Sequence, residues 1–218
     1  MSSGPLLSPL YAILDPSQTR ARPPEEVLKN LLEGGTKLLQ LRAKNRPAEE
    51  FLRLALETRR QTSQSGCLFI VNDRIDIALA AGADGVHLGQ EDLPLRAARK
   101  LMGEKLIGIS THDLTQAEEA EKGGADYIGF GPIFGTTTKQ TRNSPRGLAM
   151  LREVRKVIKI PIVAIGGISE EAFSDILNAG ADSAAMISDL LSAANIPEKV
   201  KRLLRSYQAS YASSASSG

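Results

Sequence analysis

A chain of 218 residues suits one large domain, and α/β barrels of about 250 residues form single units of that kind. With 42% hydrophobic and 24% charged residues it has the composition of an ordinary soluble globule. The formal charge of +2, with Lys and Arg spread along the chain, argues against nucleic-acid and membrane partners, which need concentrated basic patches.

Strand-like apolar runs alternate with helical patterns throughout. Strands are predicted at 10–14, 37–42, 68–71, 85–88, 106–109, 127–130, 162–165 and 183–187. Helices are predicted to start near Pro24, Pro47, Arg74, Pro94, Leu114, Gly147, Glu170 and Pro197. The four prolines fit a first helical turn, where a missing N–H costs nothing. Four similar stretches precede the even-numbered strands: Gly34-Gly35-Thr36-Lys37, Gly82-Ala83-Asp84-Gly85, Gly124-Ala125-Asp126-Tyr127 and Gly180-Ala181-Asp182-Ser183. Each ends a helix on glycine and enters a strand, so the repeat is two βα modules used four times. No G-x-G-x-x-G follows the first strand, and the reading is a single (β/α)₈ barrel over residues 1–208. Residues 209–218, mostly Ser and Ala, read as a disordered tail.

Cys67 is the single cysteine, so no intramolecular disulfide is possible; its apolar run, Cys67-Leu68-Phe69-Ile70-Val71, marks it as a buried thiol. Lys199, Lys201, Arg202 and Arg205 alternate with Val200, Leu203 and Leu204 and read as the solvated face of a final amphipathic helix. No stretch approaches the ~20 apolar residues of a membrane helix. No signal peptide opens the chain, and a cytoplasmic enzyme is expected.

A barrel carries its active site at the C-terminal ends of its strands, and polar residues collect there. Strand two ends Gln40-Leu41-Arg42-Ala43-Lys44, whose period of two puts Gln40, Arg42 and Lys44 on one face. Cations inside a barrel call for an anionic ligand, and Arg with Lys suits a diphosphate. Strands three and four end Asn72-Asp73 and Gly89-Gln90-Glu91-Asp92. Taken singly, Asp73 and Asp92 read as helix N-caps; taken together on adjacent strands, they suit Mg²⁺. Ser110 and His112 follow strand five. Gly135-Thr136-Thr137-Thr138-Lys139 follows strand six as an anion cradle, and the polar stretch 140–146 suits a lid. Gly166-Gly167 after strand seven and Ile187-Ser188 after strand eight suit a phosphate.

These motifs, with Gly85-Val86-His87-Leu88 and Gly131-Pro132-Ile133-Phe134, resemble those of the thiamine phosphate synthase family from about residue 10 to residue 205. The resemblance implies a transferase acting on two small phosphorylated substrates. A pyrimidine diphosphate would lose pyrophosphate and be captured by the nitrogen of a thiazole phosphate, carboxylated or not. It further implies that Gln40, Leu41, Arg42, Ala43, Lys44, Asn72, Ser110 and Lys139 contact the pyrimidine diphosphate, with Arg42, Lys44, Ser110 and Lys139 catalytic. Asp73 and Asp92 would hold Mg²⁺, and Thr136, Thr137, Thr138, Gly167, Ile187 and Ser188 the thiazole phosphate. The chain departs from the family pattern at Ala43, where an acidic residue is frequent, and at Gly135, where proline is common. Two other readings stand beside it: a thiazole tautomerase using His112, and a non-catalytic phosphate-ligand sensor. A homo-oligomer is compatible with all three.

Overall fold

The computed structural model describes residues 8–135 and 144–215, with side chains through residue 208. Eight parallel strands close into a barrel: β1 (Leu10–Leu14), β2 (Leu38–Leu41), β3 (Leu68–Asn72), β4 (Gly85–Leu88), β5 (Leu106–Thr111), β6 (Tyr127–Phe130), β7 (Ile162–Ala164) and β8 (Ser183–Met186). Each strand pairs with the next, and β8 pairs with β1 in a register that sets Tyr11 beside Ala185. The outer layer is α1 (Pro24–Glu33), α2 (Ala48–Ser65), α3 (Ile75–Ala80), α4 (Leu95–Met102), α5 (Leu114–Lys122), α6 (Gly147–Val157), α7 (Phe173–Asn178), α8 (Ser188–Leu191) and α9 (Ile196–Ala215). The expected (β/α)₈ barrel is what the chain forms.

The strands are buried on both faces, as in other helix-covered parallel sheets. Leu10, Ala12, Leu14, Leu39 and Leu41 face outward into the apolar layer beneath the helices. Tyr11, Ile13, Leu38, Ile70, Tyr127, Val163 and Ala185 fill the barrel itself. Two glycines make room for that filling. A Cβ on Gly108 would lie 2.0 Å from the Tyr127 ring, and one on Gly129 would lie 2.9 Å from the His87 ring. Glycine is needed there because an aromatic ring occupies the side-chain position.

The repeated turns tie the floor together. Asp84, Asp126 and Asp182 each accept from the first paired backbone N–H of the neighbouring strand, those of Phe69, Ile107 and Ile162, at 2.8, 2.7 and 2.8 Å. Each also meets an arginine from the helix two strands back: Arg59 at 2.8 Å, Arg99 at 2.5 Å and Arg155 at 2.9 Å. In the first copy the left-handed glycine is Gly35, one residue later than the sequence repeat set it, so Lys37 stands where the aspartate would be. There Val200 of α9 packs on Gly34 so closely that a Cβ would come within 2.6 Å.

The structure corrects three readings. Lys199 is not on the solvated face: it is 8% exposed, 2.7 Å from Asp189, with Glu170 at 3.6 Å. The unforeseen helix α8 covers it and supplies that partner. α9 also runs on to Ala215, past residue 208, since no Gly or Pro interrupts 209–215. Pro47 and Pro94 sit just before α2 and α4 rather than in their first turns. Among the described residues no helix is long and apolar enough to cross a membrane.

Candidate active site

The C-terminal ends of the strands enclose a cavity. From β2 to β5 it is walled by Gln40, Arg42, Lys44, Asn72, Asp73, Asp92, Ser110 and His112. From β7 round to β1 the wall is Ile165, Gly166, Gly167, Ile187, Ser188 and Ile13. One cavity therefore joins the cationic side to the glycine-bearing side. Leu41 and Ala43, expected as substrate contacts, send no side chain into this cavity and offer it only backbone. The period of two turns their side chains into the layer beneath the helices, where both are buried. Thr136, Thr137, Thr138 and Lys139 lie outside the described residues, as does the 140–146 stretch up to residue 143.

Neither carboxylate of the β3–β4 pair caps a helix. Arg74 and Pro94 occupy the cap positions of α3 and α4. Asp73 instead has φ +62, left-handed backbone that a non-glycine residue adopts only when its surroundings hold it there. Its carboxylate lies 2.9 Å from Lys44 Nζ. Asp92 accepts from the Gly89 N–H at 2.7 Å. Burial pushes the Asp92 carboxyl above its ordinary range; the Gly89 bond opposes that shift and the neighbouring Asp73 charge adds to it. Among the described residues no group of three or more His, Cys, Asp or Glu could hold a metal. The pair would need oxygens from a ligand or water to complete a shell, which is how Mg²⁺ is commonly held.

Arg42 is anchored by a residue that the sequence reading missed. It forms an ion pair with Asp15, which is 3% exposed and also accepts from Ser17 N at 2.9 Å and Ser17 Oγ at 2.7 Å. The only local signal was an acid directly after β1, at the barrel mouth. Removing one partner of a buried pair strands the other charge. Arg42→Met is therefore expected to cost about 3 kcal/mol. Lys44→Met, which breaks a half-exposed pair, should cost under about 1 kcal/mol. Urea unfolding of both variants checks this, and equal small losses would show that Asp15 does not depend on Arg42.

The barrel interior carries a second missed feature, a buried hydrogen-bonded chain. Gln40 Nε2 donates to Tyr11 Oη at 2.9 Å, and Tyr11 Oη meets Tyr127 Oη at 3.0 Å. Tyr127 Oη meets His87 Nδ1 at 3.1 Å, and His87 Nε2 meets Ser110 Oγ at 2.9 Å. Gln90 Nε2 holds the Ser110 carbonyl at 2.6 Å. Burial pushes both tyrosine hydroxyls well above their ordinary range, so both stay protonated. His112 Nδ1 lies 2.6 Å from the Gly131 carbonyl, to which it donates.

On the far side, the ends of β6 and β7 are laced together. Ile133 N donates to Ile165 O at 2.8 Å and Phe134 N to Gly166 O at 3.1 Å. Gly166 and Gly167 have φ of +91 and +66. A Cβ on Gly167 would lie 2.3 Å from Gly135 O. Arg146 N and Gly147 N return to the Pro132 and Ile133 carbonyls at 2.8 and 3.0 Å, so the strand-six loop leaves and rejoins the rim at one place. Ser188 opens α8 at the cavity wall. Behind it the Asp189 carboxylate accepts from Glu170 N at 3.1 Å and binds the buried Lys199, tying the loops after β7 and β8 together.

The family model described as thiamine monophosphate synthase matches residues 10–190. A thiamine-phosphate synthase of Chloroflexus aurantiacus is 43% identical over 194 residues, 89% of this chain and 90% of that one. One of Moorella thermoacetica is 45% identical over 195 residues, covering 89% and 93%. The solved thiamine phosphate pyrophosphorylase of Pyrococcus furiosus superposes with a TM-score of 0.83 at 35% identity, covering 91% of this chain and 96% of that one. With this match along nearly the whole barrel, the chain belongs to the thiamine monophosphate synthase family.

Proposed function

We propose that the barrel is a transferase that makes thiamine phosphate from 4-amino-5-hydroxymethyl-2-methylpyrimidine diphosphate and a thiazole phosphate. The observation that carries this reading is the clustering of Arg42, Lys44, Asp73 and Asp92 on one side of a cavity whose other side is Gly167 and Ser188. That arrangement suits a diphosphate facing a monophosphate. Gln40, Asn72 and Ser110 face the pyrimidine. Arg42 and Lys44, with Lys139 from the strand-six loop, draw negative charge as the methylene C–O bond breaks and its electron pair leaves with pyrophosphate. The thiazole nitrogen then forms the C–N bond with its own lone pair, so no nucleophilic side chain is required. Thr136, Thr137, Thr138, Gly167, Ile187 and Ser188 hold the thiazole phosphate in line for that capture.

The donor set fits a divalent cation. Two adjacent carboxylates would repel a diphosphate, and the burial and mutual charge that disfavour ionised Asp92 are what a cation between them relieves. Mg²⁺ held by Asp73 and Asp92 would supply charge neutralisation for the departing oxygens.

Incubation with both substrates and Mg²⁺ tests the proposal. Release of pyrophosphate together with thiamine phosphate is the expected result. Isomerisation of a thiazole phosphate without pyrophosphate release would favour the tautomerase reading and His112, and binding without turnover the sensor reading.

A further inference from the structure

The hydrogen-bonded chain through the barrel has a direction, and the residues at its two ends, Gln40 and Ser110, line the cavity. An amide nitrogen can only donate, so the Gln40 Nε2 bond to Tyr11 Oη leaves the Tyr11 hydrogen for Tyr127 Oη. The Tyr127 hydrogen must then go to His87 Nδ1. That nitrogen holds the lone pair, so His87 Nε2 carries the proton and donates to Ser110 Oγ. The Ser110 hydrogen is left to be donated away from the chain, into the cavity the residue lines. An imidazolium would reverse the order. His87 Nδ1–H would then donate to Tyr127, Tyr127 to Tyr11, and the Tyr11 hydrogen would face the Gln40 NH₂. That is a donor against a donor at full burial, a costly arrangement.

We propose that Tyr11, Tyr127 and His87 are positioning residues that enforce one donor direction from Gln40 to Ser110, so that the cavity meets its ligand with an amide acceptor on one wall and a hydroxyl donor across the barrel. Resting on the function proposed above, this polarity complements a ring that offers an amine hydrogen to Gln40 Oε1 and a ring nitrogen to Ser110. Neither end can change sense alone, because each intervening phenol has a single hydrogen.

The protonation pattern is readable without substrate. The chain holds two histidines, His87 and His112, so ¹⁵N-histidine labelling with long-range ¹H–¹⁵N correlation, assigned with His112→Asn, resolves the His87 ring. The expected result is a neutral His87 protonated at Nε2. Gln40→Glu replaces the donor by an acceptor and should flip His87, residues away, to the Nδ1–H form. With Tyr127→Phe added, His87 should no longer respond to Gln40→Glu. An Nδ1–H or doubly protonated His87 in the unaltered protein, or a tautomer indifferent to Gln40→Glu, overturns the proposal.

A kinetic arm reads the ligand side. Tyr127→Phe should raise KM for the pyrimidine diphosphate about tenfold, the scale of one lost hydrogen bond, and leave KM for the thiazole phosphate nearly unchanged. Equal losses for both substrates would mean simple loosening of the barrel and would overturn the positioning role. Failure of the functional reading looks different: the histidine result would stand while the unaltered protein released no pyrophosphate.

Discussion

Asp92→Ala is expected to lower pyrophosphate release by about 10³-fold or more while the barrel stays folded, since several kcal/mol of charge stabilisation would leave with the cation. Asp92 lies on the loop after β4, caps no helix, and has Asp73 and Lys44 as charged neighbours, the first raising and the second lowering its carboxyl pKa. Its loss therefore removes a ligand rather than a cap. The stability consequence has the opposite sign. A carboxyl whose folded-state pKa stands above its unfolded value binds protons more tightly when folded. Stability without metal thus falls as pH rises through that interval, and the full penalty persists at neutral pH. Asp92→Asn should raise Tm in metal-free buffer and should abolish the further rise that Mg²⁺ gives the unaltered protein. Thermal unfolding with and without Mg²⁺ measures both, beside a single-turnover assay. A near-normal rate with an unchanged metal requirement would show that Asp73 and Asp92 are not the metal site.

Gly167→Val is expected to lower kcat/KM by about 10²-fold, the cost of misplacing a site by roughly 1 Å. Two observations combine. The position has φ +66, which a β-branched residue resists, and its Cβ would fall 2.3 Å from Gly135 O and 2.9 Å from Phe134 Cβ. The branch therefore displaces the root of the strand-six loop as well as blocking approach of backbone N–H groups to a phosphate. Both substrates should be affected, because Thr136 to Lys139 follow directly from Gly135. Steady-state kinetics against each substrate, with circular dichroism to confirm folding, decides it. A raised KM for the thiazole phosphate alone would mean that the loop root absorbs the branch.

Much of this architecture was legible because the signals are local. β1, β4 and β6 begin and end at the predicted residues. Each is a short run that is apolar apart from His87 in β4, and the Gly-Ala-Asp turns flank two of them. Gln40, Arg42, Lys44, Asn72, Asp73 and Ser110 line the cavity, where the logic of strand ends and alternation puts them. What escaped was long-range pairing. Tyr11 and Tyr127 are 116 residues apart and each reads alone as an ordinary buried aromatic. Their partnership follows from closure of the barrel and from Gly108 and Gly129 vacating space, which no local window contains. Asp15 was hidden in the same way, since its role depends on Arg42 of the neighbouring strand. Lys199 was misread because amphipathic spacing knows nothing of α8, whose Asp189 satisfies a buried ammonium. Leu41 and Ala43 show the converse: a resemblance carries a whole motif, and the pleat then divides it between two faces.

The ring of Arg–Asp clamps at the floor is incomplete in a telling way. Each clamp joins one pair of βα modules to the next, at the junctions already joined by the peptide chain. At the remaining junction, between the last pair and the first, the described residues form no such Arg–Asp clamp at the floor; Val200 rests on Gly34 there instead. Elsewhere β8–β1 backbone pairing and Arg22, donating to the Ala193 carbonyl at 3.2 Å, join the same two pairs. At the floor, polar fasteners therefore hold the hinges and an apolar clasp sits at the closing seam. Salt screens the former, whereas cooling weakens the latter. The barrel thus has separate thermodynamic handles on its hinges and on its clasp, both at the end away from the catalytic mouth.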